Sequence, residues 1–178
     1  MIGREKECGP LVEEYRKWHT PIIGAYLLYY FSKEYRTHYK KAHGKPQNPD
    51  FILMAIAATI LSKSEMCKEI KRKLTISTLK NSLKRKNNHT LINDIHNSIK
   101  ATLPYTLAAL DIALHCGILK LNADKAEYEA IDIKTKRGTK AFVAGSTSES
   151  QSSAATLARL FAPFKNSIQV AQALEVSL

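Results

Sequence analysis

A mainly α fold carrying one small β-hairpin (α+β) is what the sequence predicts, as a helical, winged-helix-like domain followed by C-terminal helices. Three observations predict it. Pro104–Leu121 reads as a helix delivered straight into a strand, with Leu103, Leu107, Leu110 and Leu114 spaced by four and three along one apolar face. Asn122-Ala123-Asp124-Lys125 supplies turn residues before a returning strand, Ala126–Ile133. Pro21–Phe31 and Phe51–Leu61 are apolar on nearly every side, as central helices are, and each is about half the length that a membrane-spanning helix needs.

The elements follow in order. Gly9–Lys17 is a weak first helix. Thr20 caps and Pro21 opens a long helix, Ile22 to about Arg36, rich in Tyr26, Tyr29, Tyr30 and Phe31. His43–Pro49 is a loop by composition, and Asp50 can cap Phe51–Leu61. Ser64 caps Glu65–Lys71, Thr75 caps Ile76–Arg85, and Thr90 caps Leu91–Ala101 after a turn at Lys86–His89. Pro104 either kinks that last helix or starts the next, which ends at His115, Cys116 and Gly117.

After the hairpin, Lys134–Gly138 is a basic connector and Gly145–Ser153 a flexible, serine-rich stretch. Helical spacing resumes at Ala154–Phe164, and Asn166–Leu174 is one more short helix. The division is residues 1–144 as the winged-helix-like domain, and residues 145–178 as connector and C-terminal helices packed on it. No internal repeat or coiled-coil heptad is present.

Composition bounds the function. The 178 residues, 44% hydrophobic and 24% charged, suit one soluble globular body. No N-terminal segment has the build of a signal peptide, so a cytoplasmic location is expected. Cys8, Cys67 and Cys116 are odd in number and lack a CxxC pair, which argues against a disulfide framework or a structural zinc site.

A net charge of +11 points to a polyanionic partner, and the charge is local. Between Lys63 and Lys86, Lys63, Lys68, Lys71, Arg72, Lys73, Lys80, Lys84, Arg85 and Lys86 face only Glu65 and Glu69. The candidate contact residues for nucleic acid or an acidic partner are Lys71, Arg72, Lys73, Lys80, Lys84, Arg85 and Lys86. They precede or leave the helix that a winged helix would use for recognition. A solvated face is the competing reading of the same charge run.

Chemistry-bearing motifs are missing. The chain has no GxxxxGK[ST], GxSxG, HExxH or GxGxxG, so no catalytic residue, cofactor or metal ligand is assigned. His38, His43, His89, His96 and His115 are scattered and read as structural. Glu127 and Glu129 share one strand face with Asp132 nearby, and solvation suits them better than a metal. Tyr26–Phe31 could stack bases, but a helix apolar all round is more often simply buried.

Three segments carry a resemblance. His19–Leu28 (HTPIIGAYLL) leads a long helix. Pro104–Leu110 (PYTLAAL) precedes the strand Gly117–Leu121 (GILKL). Leu157–Ala162 (LARLFA) precedes Ile168–Val176 (IQVAQALEV). Together, over about Trp18 to Val176, they resemble the middle component of bacterial three-component ABC systems, including the Lamassu-like defence systems. The resemblance implies an adaptor, not an enzyme, in anti-phage or anti-plasmid defence. Its partners would be an SMC-like ABC ATPase, a nuclease-type effector and, through the complex, DNA, with ATP and Mg on the ATPase and no membrane. The alternative is a stand-alone winged-helix DNA-binding regulator. A small hydrolase or toxin has no motif behind it.

Overall fold

The computed structural model describes residues 20–63, 66, 67, 70, 75–85, 89–132 and 148–176, without the side chains of 82–85, 89–96, 148 and 149. The expected first helix at Gly9–Lys17 and the basic connector at Lys134–Gly138 lie outside the described residues.

Helix α1 (Pro21–His43) is longer than its opening apolar run suggests. Pro21 sits in the first turn as expected, but the Thr20 side chain makes no capping bond, and its carbonyl accepts from the N–H groups of Ile23 and Gly24. The helix passes the expected end at Arg36 because Tyr35 and Tyr39 continue the buried stripe of Leu27 and Phe31 at intervals of four. Gly44 ends it in the left-handed region (φ 78°), where its N–H donates to Lys40 O at 2.9 Å.

Helix α2 (Phe51–Leu61) is buried from Leu53 to Leu61, as an all-apolar run requires. Asp50 Oδ1 caps it, accepting from Leu53 N at 2.8 Å. Asp50 Oδ2 also accepts from Ser167 Oγ at 2.5 Å, so one carboxylate ties two helix starts. Of the short helix expected at Glu65–Lys71, the described residues Met66, Cys67 and Ile70 are helical and buried.

Helix α3 (Ile76–Arg85) opens on a reciprocal cap: Thr78 N donates to Thr75 Oγ1 at 3.2 Å, and Thr75 N to Thr78 Oγ1 at 3.1 Å. Ile76 and Leu79 face inward.

Helix α4 (His89–His115) is a single helix of 27 residues with Pro104 inside it, so the proline neither ends one helix nor starts another. Its buried face corrects the sequence expectation. Thr106, Ala109, Leu110 and Ala113 are buried, whereas Leu107 is 51% exposed and Leu103 36%. The cause is a close helix crossing. A Cβ on Gly24 of α1 would lie 2.6 Å from Tyr105 Oη and 3.0 Å from Ala109 Cβ, so the bare Gly24 is what admits Tyr105 and the Ala109 side of α4.

Gly117 (φ 66°) closes α4 and turns the chain into the hairpin, with Ile118 N donating to Ala113 O at 3.0 Å. Strands β1 (Leu119–Asn122) and β2 (Glu127–Ala130) pair antiparallel, from Leu119 opposite Ala130 to Asn122 opposite Glu127. The returning strand is shorter than the expected Ala126–Ile133, because Ala126 takes φ 51° in the turn.

Helix α5 (Ser148–Phe161) corrects the reading of a flexible stretch through Ser153. Ser150, Ser153, Ala154 and Leu157 are buried at helical spacing, and Ser153 Oγ donates to Cys67 O at 3.2 Å. The small polar residues that suggest a hinge are the close-packing face of a helix. Helix α6 (Ser167–Ala173) follows, with Asn166 Oδ1 accepting from Gln169 N at 2.9 Å.

Helix α1 lies between α4 and α5 and also meets α2 and β2, while α3 packs on α4. Phe31 stacks on Tyr35 and meets Phe161 of α5 edge-on, with centroids 5.9 Å apart in both pairs. Tyr39 and His43 extend the ladder to the α5–α6 turn: Tyr39 Oη donates to Lys165 O at 3.3 Å, and His43 Nε2 lies 3.0 Å from Ala162 O. The mainly helical fold with a small hairpin therefore stands as expected.

Gly24→Ala is expected to lower stability by about 1 kcal/mol in urea unfolding, since overpacking costs roughly 1–3 kcal/mol and the helix-propensity gain returns about 1. A Gly24→Ala variant as stable as the parent, or more so, would contradict the close α1–α4 approach.

Candidate basic interface

The basic run expected to contact a polyanion is described only in part. Lys71, Arg72, Lys73 and Lys86 lie outside the described residues, as do the side chains of Lys84 and Arg85, whose backbone forms the last turn of α3. Lys80, on the same helix, is held by an ion pair 2.5 Å long from its Nζ to Glu175 Oε1. Glu175 reaches it from a left-handed turn (φ 57°) after α6. Lys63 Nζ donates to Ser98 Oγ at 2.7 Å, bracing the end of α2 against α4.

A second basic surface was not singled out from sequence. The face of α1 opposite its aromatic ladder carries Lys33, Arg36, Lys40 and Lys41, spaced by three, four and one. The signal lay in KEYRTHYKK (residues 33–41), where tyrosines every four residues fix the inward face and leave the cations outward. Ending the helix at Arg36 hid the pattern.

The hairpin is fastened to this face. Ser32 Oγ donates to Tyr128 O at 2.6 Å, Lys33 Nζ pairs with Asp132 at 2.8 Å, and the Arg36 guanidinium pairs with Glu129. On the same outer edge of β2, Tyr128 N donates to Pro49 O at 2.9 Å, and Glu127 Oε2 takes the backbone and side-chain N–H groups of Asn48 at 3.4 Å. A two-stranded hairpin is marginal alone, and here these bonds position it while Leu119, with Ile118, Tyr128 and Ala130, packs it on the core. Each of the three hairpin carboxylates thus has a partner on a helix or a loop, and Asp132 stays largely solvated as expected.

Several other titratable groups hold structure. Burial pushes the Tyr105 phenol up to about 12, and desolvation lowers the His38 imidazole, which lies 3.8 Å from Glu34. Tyr26 bridges Tyr30 and Gln151 of α5, each at 3.0 Å, and Tyr29 and Phe31 are buried, which agrees with a central helix instead of a base-stacking platform. His115 is exposed and bonded to Asp111 one turn earlier. Among the described residues no three His, Cys, Asp or Glu side chains are grouped to hold a metal ion, and no helix is long and apolar enough to cross a membrane.

Residues 9–178 match the family described as ABC-three component (ABC-3C) system Middle Component 3. The chain belongs to this family. A middle component is an accessory subunit, and membership in such a system implies partner components, an ABC ATPase among them. Comparison with curated proteins and with solved structures gives no match.

The Lys33–Asp132 pair sets a pH dependence for this middle component. The hydrogen bond from Lys33 holds the Asp132 carboxyl below its usual range. Its contribution is present above the unfolded carboxyl pKa of about 3.9 and is lost as pH falls through the lowered folded value. In an NMR titration, Lys33→Met should return the Asp132 midpoint toward the ordinary range. An unchanged midpoint would mean that the pair does not form in solution.

Proposed function

We propose that this middle component is a non-enzymatic, cytoplasmic adaptor in a DNA-sensing, Lamassu-like defence complex, joining an SMC-like ABC ATPase to a nuclease-type effector. The family match over residues 9–178 carries the reading. The use of the described side chains supports it, because Asp50, Glu127, Glu129, Asp132 and Glu175 each serve a cap, an ion pair or a hydrogen bond that holds the fold. ATP and Mg belong to the ATPase in this reading, and the adaptor needs no cofactor. Family membership also favours the adaptor over a stand-alone regulator.

The basic run Lys71–Lys86 is proposed as the surface for nucleic acid or an acidic partner, with Lys84 and Arg85 on the last turn of α3 and Lys71, Arg72, Lys73 and Lys86 flanking that helix. Lys80 joins them with its charge already countered by Glu175. A phosphate contact would be sequence-independent and would weaken steeply with salt.

Co-expression with the ABC ATPase of the same system is expected to give one complex on size exclusion. The adaptor alone should show no ATPase or nuclease activity with Mg²⁺ or Mn²⁺. Engagement of about four to six phosphates by the basic run gives a log–log salt slope of roughly −4 to −5, which Lys84→Glu with Arg85→Glu should flatten. Separate elution from the ATPase with and without ATP and DNA, or turnover by the chain alone, would contradict the adaptor reading.

A further inference from the structure

An open groove of about 740 Å³ runs between the later turns of α1 and β2, lined by Arg36, Thr37, Lys40, Lys41, Pro46 and Ala130, with the Lys33–Asp132 pair at one end. The geometry points to this groove as a docking site for an extended, acidic segment of a partner protein. The inference rests on the accessory-subunit reading and adds to it the surface and the chemistry of the partner.

Charge is the first argument. Lys33, Arg36 and Lys40 stand three and four residues apart, on one helix face, with Lys41 beside them. Asp132 and Glu129, three residues apart in the extended chain at and beyond β2, already satisfy Lys33 and Arg36. The protein thus lays one acid-bearing extended segment along the first half of this face. Lys40 and Lys41 continue the same row into the groove, are exposed, and have no carboxylate partner among the described residues. A second extended segment with carboxylates would complete the row.

The strand edge is the second argument. Ile131 N donates to Ile118 O at 3.0 Å, so residues 127, 129 and 131 turn their backbone groups toward β1, and Tyr128 and Ala130 turn theirs away. Tyr128 has partners there in Pro49 and Ser32. Ala130 presents its N–H and C=O on the same outer edge, and its side chain lines the groove. An incoming chain therefore meets a backbone donor and acceptor beside two cations, which is how an added strand is recognised.

Protein suits the groove better than nucleic acid. With Lys33 and Arg36 neutralised, two cations remain, and two phosphate contacts give a salt slope of only about −2. The apolar part of the lining, Pro46 and Ala130, offers a phosphate backbone nothing, but receives the apolar residues that alternate with acids in a strand.

The test uses the full chain and two labelled probes, an eight-residue peptide of alternating Glu and Val and an eight-nucleotide oligo(dT), read by fluorescence anisotropy at 50 mM salt. The peptide is expected to bind, and Lys40→Gln with Lys41→Gln to weaken it at least tenfold without changing the thermal midpoint. Oligo(dT) binding should be unaffected by the same pair. In the complex with the ABC ATPase, carbodiimide should couple Lys40 or Lys41 to an Asp or Glu of another component. No binding of the peptide, or binding that the double substitution leaves unchanged, overturns the inference. So does a double substitution that abolishes oligo(dT) binding and spares the peptide, because the groove would then be a nucleic-acid site. If the complex assembles but neither lysine couples to a partner, the groove inference fails while the accessory-subunit reading stands. If no complex assembles, that reading fails, and the inference with it.

Discussion

Everything in this fold depends on helix α1 fitting between two other helices at once. On one side Gly24 brings its backbone against Tyr105 and Ala109 of α4, where an added Cβ would have to displace the Tyr105 ring tip. On the other, Leu27, Phe31, Tyr35 and Tyr39 form a ladder of large groups against α5 and the turn that follows it. A helix can be small on one face and bulky on another only if its residues keep period through many turns, and α1 does so for 23 residues. The α1–α4 contact therefore turns on Gly24 meeting Tyr105 and Ala109, and the α1–α5 contact sets the aromatic ladder of α1 against Phe161 and the small buried residues of α5.

This arrangement frees the third face of α1 for charge. Lys33 and Arg36 reach the hairpin carboxylates, so the helix that carries the core also positions the hairpin. The hairpin in turn is pinned by Pro49 and Asn48 to the loop that leads into α2. Asp50 caps α2 and binds Ser167 at the start of α6. Few of these links are large energetically. Exposed ion pairs contribute about 0–1 kcal/mol, and a typical hydrogen bond about 1. Their effect is to fix where the elements sit on a core whose stability comes from apolar burial. Tyr35 shows the cost of that core, because its hydroxyl is buried with no hydrogen-bond partner among the described residues.

Legibility in the sequence followed the strength of the local signal. The all-apolar run Phe51–Leu61 was readable because no other environment suits it, and Asp50 was readable as its cap because that chemistry is local. Gly117 and the Asn122–Lys125 turn were legible for the same reason. The failures came where two patterns share one period. Leucines at 103 and 107 and small residues at 106, 109 and 113 both recur at helical spacing, and only Gly24 on the facing helix decides which side turns in. Ser150 and Ser153 have hinge-like composition, yet a close-packed helix selects the same small residues. Of the basic residues expected at an interface, Lys80 alone has a described side chain, and its partner Glu175 lies 95 residues away, beyond any local signal. The α1 groove was missed because its cations are marked only by the tyrosines on the opposite face.

Native-state hydrogen exchange followed by NMR tests the central claim most directly, that α1 joins α4, α5 and the turn beyond into one cooperative unit. The account predicts that amides of α1 from Leu27 to Tyr39, of α4 from Thr106 to Ala113 and of α5 from Ala154 to Phe161 exchange only through global unfolding, with one common free energy. If α5 opens at a markedly lower free energy while α1 and α4 stay protected, the aromatic ladder does not unite the fold, and the account is wrong.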